Sequence, residues 1–419
     1  MRVAVIGLGY VGLPLAAALS EHVETLGYDI SEARIDELEG GHDRTGELSP
    51  ERLAAARLRV TANADDIAGS DIFIVAVPTP LDEEKRPDLG AVLAAAQTVG
   101  ARLAGGAIVV FESTVWPGVT EDICVPVLER ASGLAAGVDF HVGYAPERMN
   151  PGDPEHGLDR LTKVIAGQTA EIAERLAALY GKLNGGKVFI ARDIRTAEAA
   201  KVIENAQRDV NIAFINEVAQ IFCSMGLSTH DVLDAARTKW NFLDFAPGLV
   251  GGHCIGVDPY YLAHRAVEIG HDPQIILAGR RTNDAMGDFI VEQIARRLEA
   301  PNGPVLVLGI TFKENVSDVR NSQVPGMVAA LKARGIETEV HDPHADAREV
   351  ERRHGIRLLP GLEGAGPYAC VLGAVAHVPY RALTAATFAS LLAPGGLAVD
   401  IKNMWRDVAL PDGTRRWTL

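Results

Sequence analysis

The chain is poor in cysteine, in aromatic residues and in positive charge, and each shortage excludes something. Its four cysteines, Cys124, Cys223, Cys254 and Cys370, include no C-x-x-C pair. That argues against a redox dithiol or a zinc site, and no metal is expected. A disulfide framework is not expected in a chain of this size. Aromatic residues make up only 5%. No apolar run reaches the roughly 18 residues a membrane helix needs. The apolar opening "MRVAVIGLGYVGLPLAAALS" carries the glycines of a turn in place of signal-peptide flanks. A cytoplasmic protein with no membrane partner is expected. Lys and Arg number 40 against 55 Asp and Glu, a formal charge of −15. Nucleic acid is therefore not an expected partner. An anionic ligand would have to meet a local cluster of Lys and Arg.

What is present is α/β patterning over 419 residues, enough for roughly two or three domains. "RVAVIGLGYVGLPLAAALSEHVETLGYDI" reads as strand, tight glycine turn, helix and strand. Gly7, Gly9 and Gly12 form G-x-G-x-x-G, and Asp29 closes the second strand. In such a unit the first glycine makes the turn, the second admits a pyrophosphate and the third lets the helix pack on the strand. The helix N-terminus faces the phosphates, and the distal acid accepts hydrogen bonds from a ribose. That acid favours NAD over NADP.

Further apolar strands end in polar residues: "DIFIVAVPTP", then "AIVVFESTVWPGV" with Glu112, Ser113 and Thr114, then "FHVGYAPERMNPGD" with Glu147 and Arg148. In a doubly wound sheet these strand ends line the ligand crevice. From about Thr196 the alternation gives way to a long helix without internal Gly or Pro. Lys201, Asn205 and Arg208 share one stripe of it, either a solvated face or a site. Ser228 and Asp231 cap a second helix, and helical patterning continues to about Glu299. After "PNGP" a second β/α unit begins, whose turn Gly309–Phe312 lacks G-x-G-x-x-G. The expected fold is α/β: two Rossmann-like doubly wound domains, 1–195 and 301–419, joined by a mainly helical region, 196–300, with a long helix.

Cys254 stands apart from the other cysteines, which read as small buried apolar residues. It lies in "GLVGGHCIGVDPYYL", after Gly251, Gly252 and His253 and four residues before Asp258. Moving one hydride from an alcohol needs no thiol. Oxidising the resulting aldehyde does: a cysteine adds to the carbonyl, a second hydride leaves, and water opens the thioester to a carboxylate. The glycines would let the loop approach a substrate closely.

The motifs "GLGYVGLP", "VPTP", "ESTVWPG", "APERMNPG", "KVIENAQRDVNIAFINE", "GGHCIGVDP" and "GITFKENVSDVRNS" follow in order those of the UDP-glucose/GDP-mannose dehydrogenase family. The chain resembles that family from Val3 to about residue 405. The family oxidises C6 of nucleotide sugars to uronic acids with two NAD. The resemblance implies that Cys254 is the nucleophile and that Lys201 and Asn205 stabilise oxyanions on the C6 oxygen. Asp258 and Thr114 would handle water and protons, and Glu147 would serve thioester hydrolysis. NAD contacts would come from Gly7, Gly9, Tyr10, Val11, Gly12, Asp29, Arg34, Thr79, Thr114 and Arg320. Substrate contacts would come from Glu147, Arg148, Met149, Lys201, Asn205, Arg208, Gly251, Phe312, Lys313 and Lys402.

One departure bears on the substrate. UDP-glucose and GDP-mannose members read G-G-S-C-F/L-P-K-D where this chain reads "GGHCIGVD". With "KWNF", "PYYL", Arg148, Met149 and Arg208, this is similar to the branch acting on UDP-N-acetylhexosamines. His253 either lowers the thiol pKa or only packs the loop. UDP-glucose or UDP-N-acetylmannosamine oxidation is the alternative within the enzyme class, and an inactive nucleotide-sugar-binding regulator the alternative outside it. A UDP-sugar and a second copy, in a homodimer or higher homo-oligomer, are the expected partners.

Overall fold

The computed structural model describes residues 1–149, 157–252, 255–298 and 303–419. They divide into two compact units, Met1–Glu204 with Tyr260–Asp272, and Asn205–Pro259 with Pro273–Leu419. Among the described residues no helix is long and apolar enough to cross a membrane.

The first unit holds an eight-stranded sheet of β1 (Arg2–Ile6), β2 (Glu24–Tyr28), β3 (Arg59–Thr61), β4 (Ile72–Val75), β5 (Ile108–Phe111), β6 (His141–Tyr144), β7 (Lys163–Gly167) and β8 (Val188–Ile190). The order is β3-β2-β1-β4-β5-β6-β7-β8. Every residue of β4 and β5 is buried, because helices cover both faces. The order reverses between β1 and β4, which puts a ligand crevice outside their carboxyl ends. All neighbours run parallel except β6 and β7. The sequence patterning does not announce this reversal.

The second unit holds β9 (Val305–Leu308), β10 (Thr338–His341), β11 (Tyr368–Gly373), β12 (Leu392–Asp400) and β13 (Arg415–Thr418). They are all parallel, in the order β10-β9-β11-β12-β13, a second doubly wound order with its switch point between β9 and β11. Val305, Val307, Leu372 and Val399 anchor its core. Both sheets are Rossmann-like, as expected.

The long helix runs Ile194–Met225. Ile203, Phe214, Ile221 and Met225 are each at least half exposed, and at about 100° per residue they fall on one stripe. Ser228 caps the next helix, its side chain accepting the Asp231 N–H. The stretch read as continuous helix to Glu299 is broken at 269–273, where Gly270 takes a positive φ of 82° and Pro273 follows. Cys124 and Cys370 are buried as expected. Cys223 is only partly buried, its thiol 3.6 Å from Gln293 Oε1.

The two sheets begin with the same turn. Gly7 has φ +92° and Gly309 has φ +94°, values that favour glycine. Gly7 N–H donates to Tyr28 O at 2.8 Å and Gly309 N–H to His341 O at 2.9 Å. Leu8 N–H then donates to Asp29 Oδ2 at 2.8 Å, and Ile310 N–H to Asp342 Oδ2 at 2.7 Å. The other oxygen of each acid takes an N–H two residues on, from Ser31 at 2.9 Å and His344 at 2.8 Å. Asp342 goes further. It also accepts from Thr311 N–H and Ala345 N–H and lies 3.2 Å from His377 Nε2. Burial alone would raise its pKa, but these donors outweigh it and hold the carboxyl at about 2.

A carboxyl depressed in the folded state contributes stability that is present above its unfolded pKa, about 3.9, and is lost as pH falls toward the folded value. Asp342→Asn should therefore cost on the order of 2 kcal/mol near neutrality, and the variant should lose less further stability between about pH 4 and pH 2 than the parent. Denaturant melts across that range check both.

Candidate active site

The first turn is shaped for a dinucleotide. A Cβ on Gly12 would sit 1.8 Å from Gly7 O, so the helix Gly12–Ser20 packs at glycine-only distance. A Cβ on Gly9 would meet nothing within 4 Å, so that face of the turn is open to a ligand. Tyr10 and Val11 lead into the helix, and Val11 provides no side-chain cap, leaving the helix N-terminus to an anion. Each Asp29 oxygen takes one backbone N–H and keeps acceptor capacity for ribose hydroxyls. Thr79 lies past the end of β4, where its carbonyl accepts the Tyr261 hydroxyl at 2.8 Å.

Arg34, which the resemblance gives as a cofactor contact, is tied to the turn itself. It is 2% exposed. Its Nε donates to Leu8 O at 2.9 Å, and its NH groups pair with Glu37 at 2.8 Å and Asp43 at 2.7 Å. The Leu8 peptide is thus gripped from both sides, by Asp29 at its N–H and by Arg34 at its carbonyl.

Polar groups converge at the ends of β5 and β6. Ser113 Oγ donates to Val77 O at 2.7 Å, tying the Thr114 segment to the loop after β4. Glu112 and Glu147 share Lys163, whose Nζ lies 3.0 Å from Glu112 Oε2 and 3.1 Å from Glu147 Oε2. Arg148 pairs with Glu204 and donates to Thr162 O. Met149 contributes its backbone N–H to Glu147. On the long helix Lys201 is buried, and one turn before it lies Glu198 with no exposure. Glu198 accepts the N–H groups of Gly118 and Thr120 at 2.6 and 2.9 Å. Burial pushes its pKa up to about 7 despite them.

In the second unit Asn205 Nδ2 donates to Asp258 Oδ2 at 2.5 Å, and Asp258 is 2% exposed. Cys254 and His253 lie outside the described residues; the loop leading to them does not. A Cβ on Gly252, which has φ +83°, would lie 2.7 Å from the Phe312 ring. A Cβ on Gly251 would lie 2.6 Å from Asn321 O, and one on Gly248 2.8 Å from Lys402 Nζ. These glycines are needed because the loop packs closely on the Phe312 ring, the Asn321 carbonyl and the Lys402 side chain. Asn216 fixes Gly248 through both its N–H and its carbonyl and continues to Asn283, Asp209 and Arg280 in a buried chain. Lys313 lies 6.0 Å from the Phe312 ring centroid. Arg320 is bidentate with Asp318, at 2.9 and 2.7 Å. Arg208 is exposed on the long helix.

Comparison with known proteins identifies the family. Residues 1–184 match the NAD binding domain of the UDP-glucose/GDP-mannose dehydrogenase family, 195–285 its central domain and 306–407 its UDP binding domain. The chain belongs to the UDP-glucose/GDP-mannose dehydrogenase family. As a member it is an NAD-dependent nucleotide-sugar dehydrogenase, and the turn at Gly7–Gly12 with Asp29 fits NAD. It is 47% identical over 410 residues to a UDP-N-acetyl-D-glucosamine 6-dehydrogenase of Pseudomonas aeruginosa, covering 96% of this chain and 97% of that one. It is 46% identical to protein CapL of Staphylococcus aureus, covering 100% and 99%. A solved UDP-D-ManNAc dehydrogenase from Pyrococcus horikoshii superposes with a TM-score of 0.89 at 30% identity, covering 99% of each chain.

Sequence reading of this dehydrogenase missed Lys163, Tyr180 and Glu198. The signal for Lys163 was a lone lysine opening the apolar run "KVIAG", and for Glu198 a single acid on the apolar flank of Lys201. Two glycines of the cofactor turn should separate folding from binding. Gly12→Ala forces a backbone clash and should lower the melting temperature. Gly9→Ala should leave it within about 2 °C, since an unstrained surface change is worth within about 0.5 kcal/mol. It should still weaken NAD binding at least tenfold, about 1.4 kcal/mol, by occupying the open face. Calorimetric titration with NAD alongside thermal melts reads both.

Proposed function

We propose that this dehydrogenase oxidises the C6 hydroxyl of a UDP-N-acetylhexosamine to the uronic acid, through a thiohemiacetal and a thioester on Cys254, in the cytoplasm. The observation that carries the reading is the Asn205–Asp258 hydrogen bond. It joins an amide one helical turn beyond buried Lys201 to the carboxylate four residues beyond Cys254. Likeness to the Pseudomonas aeruginosa enzyme supports the acetamido sugar over UDP-glucose.

The Gly7–Gly12 turn and Asp29 would hold NAD, which would supply the hydride acceptor for each of the two oxidations. The chain's own groups do the rest. Lys201 and Asn205 stabilise negative charge on the C6 oxygen, a role that burial strengthens. Asp258 and Thr114 handle protons and water. The Cys254 thiolate adds to the aldehyde carbon; loss of the second hydride leaves a thioester; water adds to it, releasing the thiol and the carboxylate. The balance is one alcohol, two NAD+ and one water to one carboxylate, two NADH and three protons. Arg148, Met149, Arg208, Gly251, Phe312, Lys313 and Lys402 serve the UDP-sugar, with Arg320 toward the cofactor. Arg34 acts by holding the turn. Residues 1–195 serve the cofactor, 196–300 the chemistry and self-association, and 301–419 the UDP moiety.

With UDP-N-acetylglucosamine or its galacto epimer, two NADH should form per uronate, and kcat/KM should exceed that for UDP-glucose at least tenfold, about 1.4 kcal/mol. Equal turnover of UDP-glucose would move the enzyme to the other branch. Cys254→Ser should bind substrate and NAD yet lose uronate synthesis by orders of magnitude; near-parental uronate formation would remove the covalent mechanism. The stripe of Ile203, Phe214, Ile221 and Met225 should pack on a second copy. Light scattering at micromolar concentration should show a dimer or larger, and replacing Phe214 and Ile221 with Glu should shift it to monomer.

A further inference from the structure

The reversed strand β7 brings an unexpected cation to the reacting end of the sheet. Its register against β6 pairs Gly143 with Gly167 and Tyr144 with Ala166. Continued by three residues, that register sets Lys163 opposite Glu147. In a parallel strand, a first residue such as Lys163 would lie at the edge away from the crevice. The reversal moves it to the carboxyl ends of β5 and β6, between two acids.

The three groups are buried together. Side-chain exposure is 8% for Lys163, 0% for Glu112 and 11% for Glu147. Glu147 Oε1 accepts the N–H groups of Arg148 and Met149, each at 2.6 Å, and its Oε2 faces Lys163. Glu112 has Lys163 on one oxygen and the Tyr180 hydroxyl, at 2.5 Å, on the other. Among the described residues, Arg148 and Glu204 beside this cluster are paired with each other. One ammonium cannot neutralise two carboxylates, and a buried excess charge is costly, so one acid takes a proton more readily. Glu147, with more donors, is the one held ionised. The pKa directions agree. Burial pushes Glu112 above the ordinary carboxylate range. For Glu147 burial acts the same way, but Lys163 and the two backbone N–H groups outweigh it and hold the carboxyl below that range.

We propose that Lys163 is a positioning residue for thioester hydrolysis: it holds the Glu147 carboxylate oriented and ionised, while Glu112, fixed by Tyr180, anchors the same ammonium from its other side. The proposal rests on Glu147 serving the hydrolytic step. It assigns different effects to two neighbours. Removing Lys163 leaves Glu147 desolvated without its cation and raises its pKa. Glu112 is already protonated where Glu147 titrates, so a neutral amide in its place leaves the Glu147 pKa where it is.

The test uses the full-length enzyme with NAD and UDP-N-acetylglucosamine. The rate of the hydrolytic step is followed across pH by acid quench and intact-mass detection of the sugar adduct. Lys163→Met should accumulate adduct, slow hydrolysis at least tenfold at neutral pH, and move the acid limb of the profile up by about one unit or more. Lys163→Arg should restore most of the rate. Glu112→Gln should leave the limb in place. A merely structural role would slow the step in Lys163→Met without moving its limb, so a limb unshifted, or shifted down, in a Lys163→Met that binds NAD normally would overturn the proposal. Should Lys163→Met fail to fold, the charge-balanced double variant Lys163→Met with Glu112→Gln decides: an upward shift supports the proposal, and no shift or a downward one overturns it. Glu147→Gln separates the underlying reading. If it hydrolyses the adduct at the parental rate, or if Cys254→Ser still makes uronate, Glu147 or the thioester is not involved and the proposal falls with that reading. If Glu147→Gln accumulates adduct while Lys163→Met shows an unshifted limb, only the Lys163 proposal falls.

Discussion

A backbone N–H that leaves a strand at a tight turn must find an acceptor, and in both sheets it finds a carboxylate at the end of the neighbouring strand. Leu8 donates to Asp29 and Ile310 to Asp342. An unsatisfied N–H there would cost on the order of 1–3 kcal/mol. The bond also fixes the path of the turn, because the glycine before it can take positive φ and the acid stands on the adjacent parallel strand. Parallel pairing of β1 with β2 and of β9 with β10 is what delivers the acid to the turn. The difference between the turns lies in what the acid has left to offer. Asp29 is partly exposed and keeps lone pairs for a ribose. Asp342 is consumed by Thr311, Ala345 and His377 as well, so its turn has no acid to spare for a sugar.

The same economy governs the cations. With a formal charge of −15, the chain gives buried positive groups to geometry first. Arg34 grips the cofactor turn at the Leu8 carbonyl, Lys163 joins two strand ends, and Arg280 ends the chain of polar groups that holds Gly248. None of these bonds stabilises much once desolvation is counted. Each removes freedom from a segment that must be placed within fractions of an ångström for chemistry.

The glycines before Cys254 meet a need inside the protein as well as the expected one of admitting a substrate. They allow close approach to Phe312, Asn321 and Lys402, so Phe312 and Lys402, two residues expected to touch the nucleotide, also shape the loop that leads to the nucleophile. A side chain at Gly252 would displace an aromatic ring before it met any ligand.

The cofactor turn, the acid after it, both doubly wound units and the Lys201–Asn205 stripe were legible in the linear chain, because each depends on neighbours within about thirty residues and on periodicities that local sterics impose. The capping of the helix after Ser228 was legible for the same reason. The pairing direction of β7 was not: a strand of the composition "KVIAG" serves either direction, and only the completed sheet decides which end of it meets β6. With that direction unknown, Lys163 had no place at the site. The partners of Arg34 were not legible either: Glu37 and Asp43, whose carboxylates hold the guanidinium beside Leu8 and out of solvent, are placed only by the folded unit.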